Sequence, residues 1–315
     1  MIAFVAVRLL LSHFGRFALD EPNERSLHQR PVPRTGGVAV LLGSAAGLAL
    51  GGAQSWLPAT LAATLAAVSF IDDLYGLPSV ARLAAHVAAA GLLAWYVLSP
   101  IDPLVLALLV LALTWITNLY NFMDGSDGLA GGMAMIGFGA YGFAAWLGDN
   151  PGLAALCVAI SAASAAFLVH NLHPARIFLG DVGSIPLGFL AGGLGMLGWR
   201  EDLWPLWFPV LVFGPFIADA TITLVRRLLR GQRVWQAHRE HYYQRMVRMG
   251  LGHRGTAWVG YAVMVLCACA ALLGRGQGPG VQAAVFFGTS ALLGALAIWV
   301  DLRWTRFQRG AQGPA

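Results

Sequence analysis

Long apolar stretches separated by short polar linkers recur along almost the whole chain of 315 residues. Ten such stretches cover 36–52, 57–71, 80–98, 104–120, 129–147, 152–169, 183–199, 203–225, 256–273 and 281–300. A helix of about 20 apolar residues spans a bilayer, and Trp or Tyr at its ends extends a shorter one to the interface. The pattern predicts an all-α, polytopic transmembrane helical bundle with ten spans. Residues 1–19 are an eleventh candidate, interrupted by Arg8, His13 and Arg16.

Composition supports a membrane protein. Hydrophobic residues make up 58% of the chain and charged residues 11%, against about 25% charged in soluble domains. The three cysteines lie in apolar stretches without a CxxC pair, so they are expected to be buried hydrophobic residues. These features exclude an ordinary soluble enzyme, a disordered tail protein and a secreted disulfide scaffold. We expect one integral membrane domain over 1–315, with the motifs in 20–246 and two last spans and a basic tail in 247–315.

The basic residues are strongly one-sided. All 20 are Arg. Alternation of the spans places 17 of them in linkers on one face, and the opposite linkers hold only Arg200 and Arg275. The positive-inside rule makes the Arg-rich face cytoplasmic. It also explains the net charge of +5 without nucleic acid as a partner.

Acidic residues near span ends are costly unless they have a task, and they cluster on the Arg-rich face. The carboxylates are Asp72, Asp73, Asp124, Asp127, Asp181 and Asp219, and two histidines, His238 and His241, lie in the long basic loop. Singly, each has an ordinary alternative: an interfacial stop at 72–73, a turn at 124–127, or a basic loop that is solvated or holds anionic lipid head groups. An EF-hand at 124–127 would lack its later ligands.

Together the clusters indicate a reaction centre. Hard carboxylate and amide oxygens suit Mg²⁺, which commonly uses one or two carboxylates plus substrate phosphates, with Mn²⁺ as the alternative metal. Neighbouring Arg and His side chains would hold phosphate oxygens. No P-loop sequence occurs. The chemistry indicated is metal-assisted phosphoryl transfer at the cytoplasmic membrane surface.

Four motifs in order resemble the polyprenyl-phosphate N-acetylhexosamine-1-phosphate transferases. Residues 20–28 with 33–37 are similar to that family's N-terminal cytoplasmic motif, and Asp72-Asp73 to its aspartate pair. Residues 118–128 match its N-x-x-N-F-x-D-G-x-D-G loop, and 171–184 its nucleotide and metal segment. The resemblance covers about residues 20–246.

The resemblance implies a reaction and a role for each matching residue. A UDP-N-acetylhexosamine would give its sugar-1-phosphate to undecaprenyl phosphate and release UMP, in a bacterial inner membrane, with a homodimer as one assembly. Asp181 would bind Mg²⁺ with Asp124 in or near the metal shell, and Phe178 would stack on uracil. Asp72 would position the lipid phosphate or act as its base, supported by Asp73. The nucleotide pocket would be shaped by Asn118, Asn121, Asp127 and Asn171.

The late loop departs from the family pattern and separates two subfamilies. A string of histidines is expected there, and residues 236–245 keep His241 in register. His241 and Arg245 are expected to contact diphosphate or sugar. The departure favours the branch that initiates O-antigen or other surface polysaccharides over the peptidoglycan pentapeptide transferase. The sugar stays open among GlcNAc, GalNAc, QuiNAc and FucNAc. Two other functions are less favoured by the sequence. A transporter would place its charged site near the bilayer midplane, whereas the acids of this chain cluster at one surface. An inactive membrane scaffold would not need these acidic residues.

Overall fold

Helices dominate the structure, a computed structural model that describes residues 1–15, 18–22, 27, 30–48, 56–234, 236 and 238–311. The first elements are α1 (Ile2–His13), β1 (Leu19–Asp20), β2 (Val32–Pro33), α2 (Gly36–Leu48), α3 (Trp56–Tyr75), α4 (Ser79–Leu98), α5 (Pro103–Phe122) and α6 (Leu129–Leu147). The others are α7 (Pro151–Asn171), α8 (Asp181–Arg200), α9 (Trp207–Val212), α10 (Gly214–Leu229), α11 (Tyr242–Met246), a π-helical turn (Val247–Leu251), α12 (Gly252–Gly274) and α13 (Pro279–Ala311).

The predicted polytopic helical bundle is confirmed. Within the described residues, eight helices are long and apolar enough to cross a bilayer: α3 to α8, α11 continued through the π turn into α12, and α13. Eight is fewer than the ten or eleven predicted spans. The helices α1 and α2 are apolar but have only 12 and 13 residues. Residues 49–52 of the first predicted span lie outside the described part of the chain.

The predicted span over 203–225 is wrong as a single helix, because two helices, α9 and α10, share it. The break falls at Phe213, and Pro215 lies in the first turn of α10. Proline has no N–H to donate and is favoured where a helix begins, so it ends one hydrogen-bond ladder and starts another. Two helices of 6 and 16 residues therefore replace the single predicted span before the basic loop.

The long helices differ sharply in burial. In α8, 89% of the most apolar window is buried, against 11% in α13, so α8 is central and α13 peripheral. The start of α8 packs against the start of α2, where a Cβ on Gly37 would overlap the backbone of Gly183. Glycine at both positions lets the two helix backbones touch. This contact places the first residue of α8 beside the segment that enters α2.

Polar helix ends meet at one end of the bundle. The C-terminal ends of α3, α5 and α7 lie there with the N-terminal end of α8, and their side chains line one cavity. At the opposite end, Arg275 donates a hydrogen bond to the Leu203 carbonyl at 2.8 Å. The alternation of spans predicted this separation of Arg275 from the acidic linkers.

Candidate active site

A cavity of about 650 Å³ lies at the polar end of the bundle and collects most of the predicted site residues. Nine of the eleven line it: Asp72, Asp73, Asn121, Asp124, Asp127, Asn171, Phe178, Asp181 and His241. They come from five separate segments of the chain. The fold thus brings together residues that are up to 169 positions apart in sequence.

The aspartate pair at the end of α3 faces two arginines. Asp72 accepts a hydrogen bond from Arg82 at 2.7 Å and from the backbone N–H of Leu77 at 2.7 Å. Asp73 forms an ion pair with Arg34 at 3.2 Å. Both carboxylates are nearly buried, with side-chain exposures of 12% and 11%. The arginines bring positive charge to the cavity wall where a phosphate would need it.

A second pair of carboxylates lines the cavity: Asp124 from the α5–α6 loop and Asp181 from the start of α8. Asp181 is the first residue of α8, and Gly180 before it takes a φ of 69°, a left-handed value that favours glycine. The Gly180 N–H is hydrogen-bonded to Asp124. Burial raises the pKa of Asp124 well above its usual value, and the nearby charge of Asp181 raises it further. Two close carboxylates in a buried site favour a cation between them.

The amide of Asn121 completes this part of the wall. Asn121 is hydrogen-bonded to Asp181 and accepts a hydrogen bond from the Ser184 hydroxyl at 2.6 Å. Within the described residues, no group of three or more His, Cys, Asp or Glu converges as a metal cage. Two carboxylates, one of them held by the Asn121 N–H, fit Mg²⁺, which takes its other ligands from substrate phosphates and water.

Asp127 is tied to the loop after α7. Its carboxylate is 2.7 Å from His173 Nδ1 and accepts the Ala175 N–H at 3.1 Å. His253, at the start of α12, stacks on His173 with ring centroids 5.3 Å apart and contacts Ser126 at 3.0 Å. Asp127 therefore holds three segments together at the cavity wall.

Asn171 and Phe178 shape the same wall. Asn171 is buried, accepts the Gly128 N–H at 2.9 Å and donates to the Ile177 carbonyl at 2.9 Å. Phe178 is half-buried, and its backbone pairs with the segment before α2: its N–H donates to Pro33, and its carbonyl accepts from Gly36. The N-terminal motif is thereby joined to the site. Residues 23–26 and 28 of that motif lie outside the described residues.

The late loop reaches the cavity through His241. A buried aspartate, Asp219 of α10, accepts hydrogen bonds from the backbone N–H groups of Tyr242 at 2.9 Å and Tyr243 at 3.0 Å. The same carboxylate lies 3.1 Å from His241 Nδ1. The His241 ring stacks near Phe122, which ends α5. Asp219 thus fixes the orientation of a histidine that belongs to a distant loop.

Two predicted site residues do not reach the cavity. Asn118 lies one turn back inside α5, where it donates to the Thr114 carbonyl at 2.7 Å. Arg245 is buried and forms an ion pair with Asp301 of α13 at 2.9 Å. Because Arg245 is already paired with Asp301 and lies over the Tyr242 ring, it stabilises the late loop.

Sequence patterns do not single out several residues that line or hold the site. Arg34 and Arg82 contribute to the count of basic residues, but nothing in the sequence pairs them with particular aspartates. The sequence places Asp219 near the end of an apolar stretch on the Arg-rich face but does not pair it with His241, and His253 follows the basic loop. For Arg82, the sequence position could have indicated the pairing. Asp72 lies in the last turn of α3 and Arg82 in the first turn of α4, so the short connection between these helices brings the two side chains together.

Membrane helices that bring carboxylates and arginines to one surface cavity are typical of one class of protein, the integral membrane enzymes that act on phosphate groups.

The family model described as glycosyl transferase family 4 matches residues 55–200. A decaprenyl-phosphate N-acetylglucosaminephosphotransferase of Mycobacterium tuberculosis is 30% identical, covering 94% of this chain and 85% of that protein. A probable undecaprenyl-phosphate N-acetylglucosaminyl 1-phosphate transferase of Bacillus subtilis is 29% identical, covering 81% and 77%.

A phospho-N-acetylmuramoyl-pentapeptide-transferase of Shouchella clausii is also similar, with 30% identity over 74% of this chain and 81% of that protein. The chain belongs to glycosyl transferase family 4, the polyprenyl-phosphate phosphosugar transferases. The resemblance inferred from the motifs is confirmed, as is the conclusion that the chain is a multi-pass membrane transferase.

Proposed function

We propose that the protein transfers N-acetylglucosamine-1-phosphate from UDP-N-acetylglucosamine to undecaprenyl phosphate. A phosphate oxygen of the lipid attacks the sugar-bearing phosphorus, the bond to UMP breaks, and the products are UMP and undecaprenyl-pyrophosphoryl-N-acetylglucosamine. The observation that carries the proposal is the convergence of six aspartates and two arginines on one cavity at the ends of membrane helices. The names of the Bacillus and Mycobacterium relatives support this sugar.

The proposed metal is Mg²⁺, with Mn²⁺ as a substitute. Asp181 and Asp124 would hold it, with the Asn121 amide beside Asp181. When bound, the ion neutralises pyrophosphate charge and favours departure of UMP. The raised pKa of Asp124, caused by burial and by Asp181, supports this placement because a cation would relieve both effects.

The lipid phosphate would lie at the aspartate pair. Arg82 and Arg34 are already beside Asp72 and Asp73, so a phosphate arriving there meets two guanidinium groups that bind it with charge-assisted hydrogen bonds. A lipid phosphate is largely ionised near neutral pH. We therefore assign Asp72 and its arginine partner to positioning the attacking oxygen, which needs no base.

The nucleotide and sugar would occupy the remaining walls. Phe178 offers a half-buried ring for uracil, with Asp127 and Asn171 on the same wall. His241 would contact the diphosphate or the acetamido sugar from the opposite loop. The Arg-rich end of the bundle would face the cytoplasm of a bacterial inner membrane.

The similarity to a pentapeptide transferase makes a second reaction testable, transfer of phospho-N-acetylmuramoyl-pentapeptide. Only the size and chemistry of the sugar substituent separate the two reactions. The loop that would read this substituent carries Tyr243 and Gln244 after His241. Tyr243 is buried and donates to the Phe122 carbonyl at 3.1 Å. Tyr243 thereby fixes the late loop beside the cavity, and Gln244 is the residue of the two that lines it.

The deciding experiment uses purified protein in detergent with undecaprenyl phosphate and Mg²⁺. Four UDP-N-acetylhexosamines and UDP-N-acetylmuramoyl-pentapeptide are offered separately, UMP release is measured and the lipid product is identified by mass. We expect UMP and a pyrophosphoryl lipid with N-acetylglucosamine. Turnover of the pentapeptide substrate alone would establish the second reaction. No turnover of any substrate by folded protein would contradict both.

A further inference from the structure

A second cavity, of about 410 Å³, lies on the outside of the bundle between α1 and the end of α7. Its lining consists of Phe4, Arg8, Leu11, Ser12, His170 and Arg176. None of these residues lines the active-site cavity. The proposed reaction leaves this cavity without a role.

The polar groups of this cavity are suited to an anion. Arg8 and Arg176 are exposed, and within the described part of the chain neither forms an ion pair. His170 is nine-tenths buried, lines the cavity and is hydrogen-bonded to the Ala166 backbone. A phosphate in the cavity would meet the two guanidinium groups, which bind phosphate through charge-assisted hydrogen bonds.

The surroundings indicate that the phosphate belongs to a lipid. The Phe4 ring packs against His170 with centroids 5.3 Å apart, and Leu11 adds a second apolar wall. Along the outside of α1, Ile2, Val5 and Leu9 are about half exposed. Ser12 and His170 lie near the C-terminal ends of their helices. A head group at that depth would leave its acyl chains along an apolar helix surface in the bilayer.

We propose that this cavity binds the phosphate of an anionic membrane phospholipid. Basic pockets between membrane helices on the cytoplasmic side bind such head groups. The cavity also adjoins the active-site wall through the chain itself. Asn171 follows His170, Phe178 lies two residues after Arg176, and the Arg176 N–H donates to the His170 carbonyl at 2.9 Å. A bound lipid would therefore hold the 170–178 segment in place.

Binding of phosphatidylglycerol to the purified full chain, measured by native mass spectrometry, tests the proposal. We expect phosphatidylglycerol to bind more tightly than phosphatidylcholine, and a photoreactive phosphatidylglycerol to label residues of α1 or 170–176. Each of Arg8→Gln and Arg176→Gln should weaken binding about fivefold, and the double variant about twentyfold. The matched control is Arg306→Gln, an exposed arginine on α13 with the same change of charge.

Two further measurements keep the result decisive if the double variant unfolds. His170→Phe keeps a ring against Phe4 and removes the nitrogens, and it should weaken binding about threefold. Inorganic phosphate should not displace the lipid at millimolar concentration, because it has no acyl chains. Full displacement would identify a free-phosphate site, and labelling away from both segments or unchanged binding in the double variant would overturn the proposal. Since binding is the readout, either failure leaves the transferase assignment intact.

Discussion

The two walls of the active-site cavity handle charge in opposite ways. On the wall formed by α3, α5 and α8, Asp72 and Asp73 are paired with arginines that themselves line the cavity, whereas Asp124 and Asp181 lie close together and form no ion pair within the described residues. On the wall formed by the late loop, charges are paired inside the protein: Asp219 with backbone N–H groups, and Arg245 with Asp301.

This difference separates binding chemistry from support. Carboxylates that crowd each other raise the free energy of the ligand-free site, and a bound cation relieves that repulsion. Charges already satisfied by the protein gain little from a ligand. Instead, they hold His241 where the first wall needs it. Substitutions on the first wall should therefore abolish turnover in a folded protein, and those on the second should reduce stability as well.

The largest expected effect follows Asp181→Asn. The side chain keeps its size, and the negative charge proposed to bind Mg²⁺ is lost, so the rate should fall by a hundredfold to a thousandfold or more. The measurement is UMP release, with thermal unfolding in detergent as the check on folding. Asp149→Asn is the matched control, because Asp149 is exposed at a left-handed φ of 56° that asparagine also accepts. Equal rates for the two variants would contradict the metal assignment.

Asp219→Ala should destabilise the late loop that forms the second wall. Two buried N–H groups and His241 would lose their acceptor, with a cost of about 3 kcal/mol in the free energy of unfolding. Chemical unfolding in mixed micelles measures this loss, and UMP release should fall with it. Glu201→Ala is the control, since Glu201 is exposed at the opposite end of α8. An unchanged unfolding curve would show that the two walls do not differ as described.

The contact between the walls can be tested at Gly125. A Cβ there would collide with the Tyr243 hydroxyl, so Gly125→Ala should lower the rate about tenfold by displacing the late loop. Tyr243→Phe removes the obstructing oxygen and its hydrogen bond to Phe122. The double variant should recover most of the lost rate. Additive losses in the double variant would mean that the two residues act independently.

The smallest expected effect concerns His238 and pH. Burial, with the charges of His241 and Arg227, lowers its pKa from 6.5 to about 4. Between these values the unfolded chain binds a proton that the folded protein does not, so stability is lost as pH falls from 6.5 to about 4. His238→Asn should reduce this loss, measured as the unfolding temperature across that range. His13→Asn, at an exposed histidine of α1, should leave the loss unchanged.

Much of the fold was predictable, because each bilayer span is a local requirement on about 20 consecutive residues. Predicted stretches at 57–71, 104–120 and 152–169 correspond to α3, α5 and α7. The single span at 203–225 failed because hydropathy averages over Pro209 and Pro215, whose effect is on hydrogen bonding. Asn118 does not line the cavity, because its position in the motif does not determine which face of the helix turns toward the cavity.

The sequence by itself determined the membrane bundle, the side on which charge collects and the family, because hydropathy, charge counts and motif spacing are properties of short segments. Only the tertiary structure decided which charges face each other. Arg34 with Asp73, Arg245 with Asp301 and Asp219 with His241 join segments far apart in the chain. Such pairs depend on how helices pack and rotate, and no local pattern encodes that geometry. The same packing turned Arg245 from an expected ligand contact into a brace.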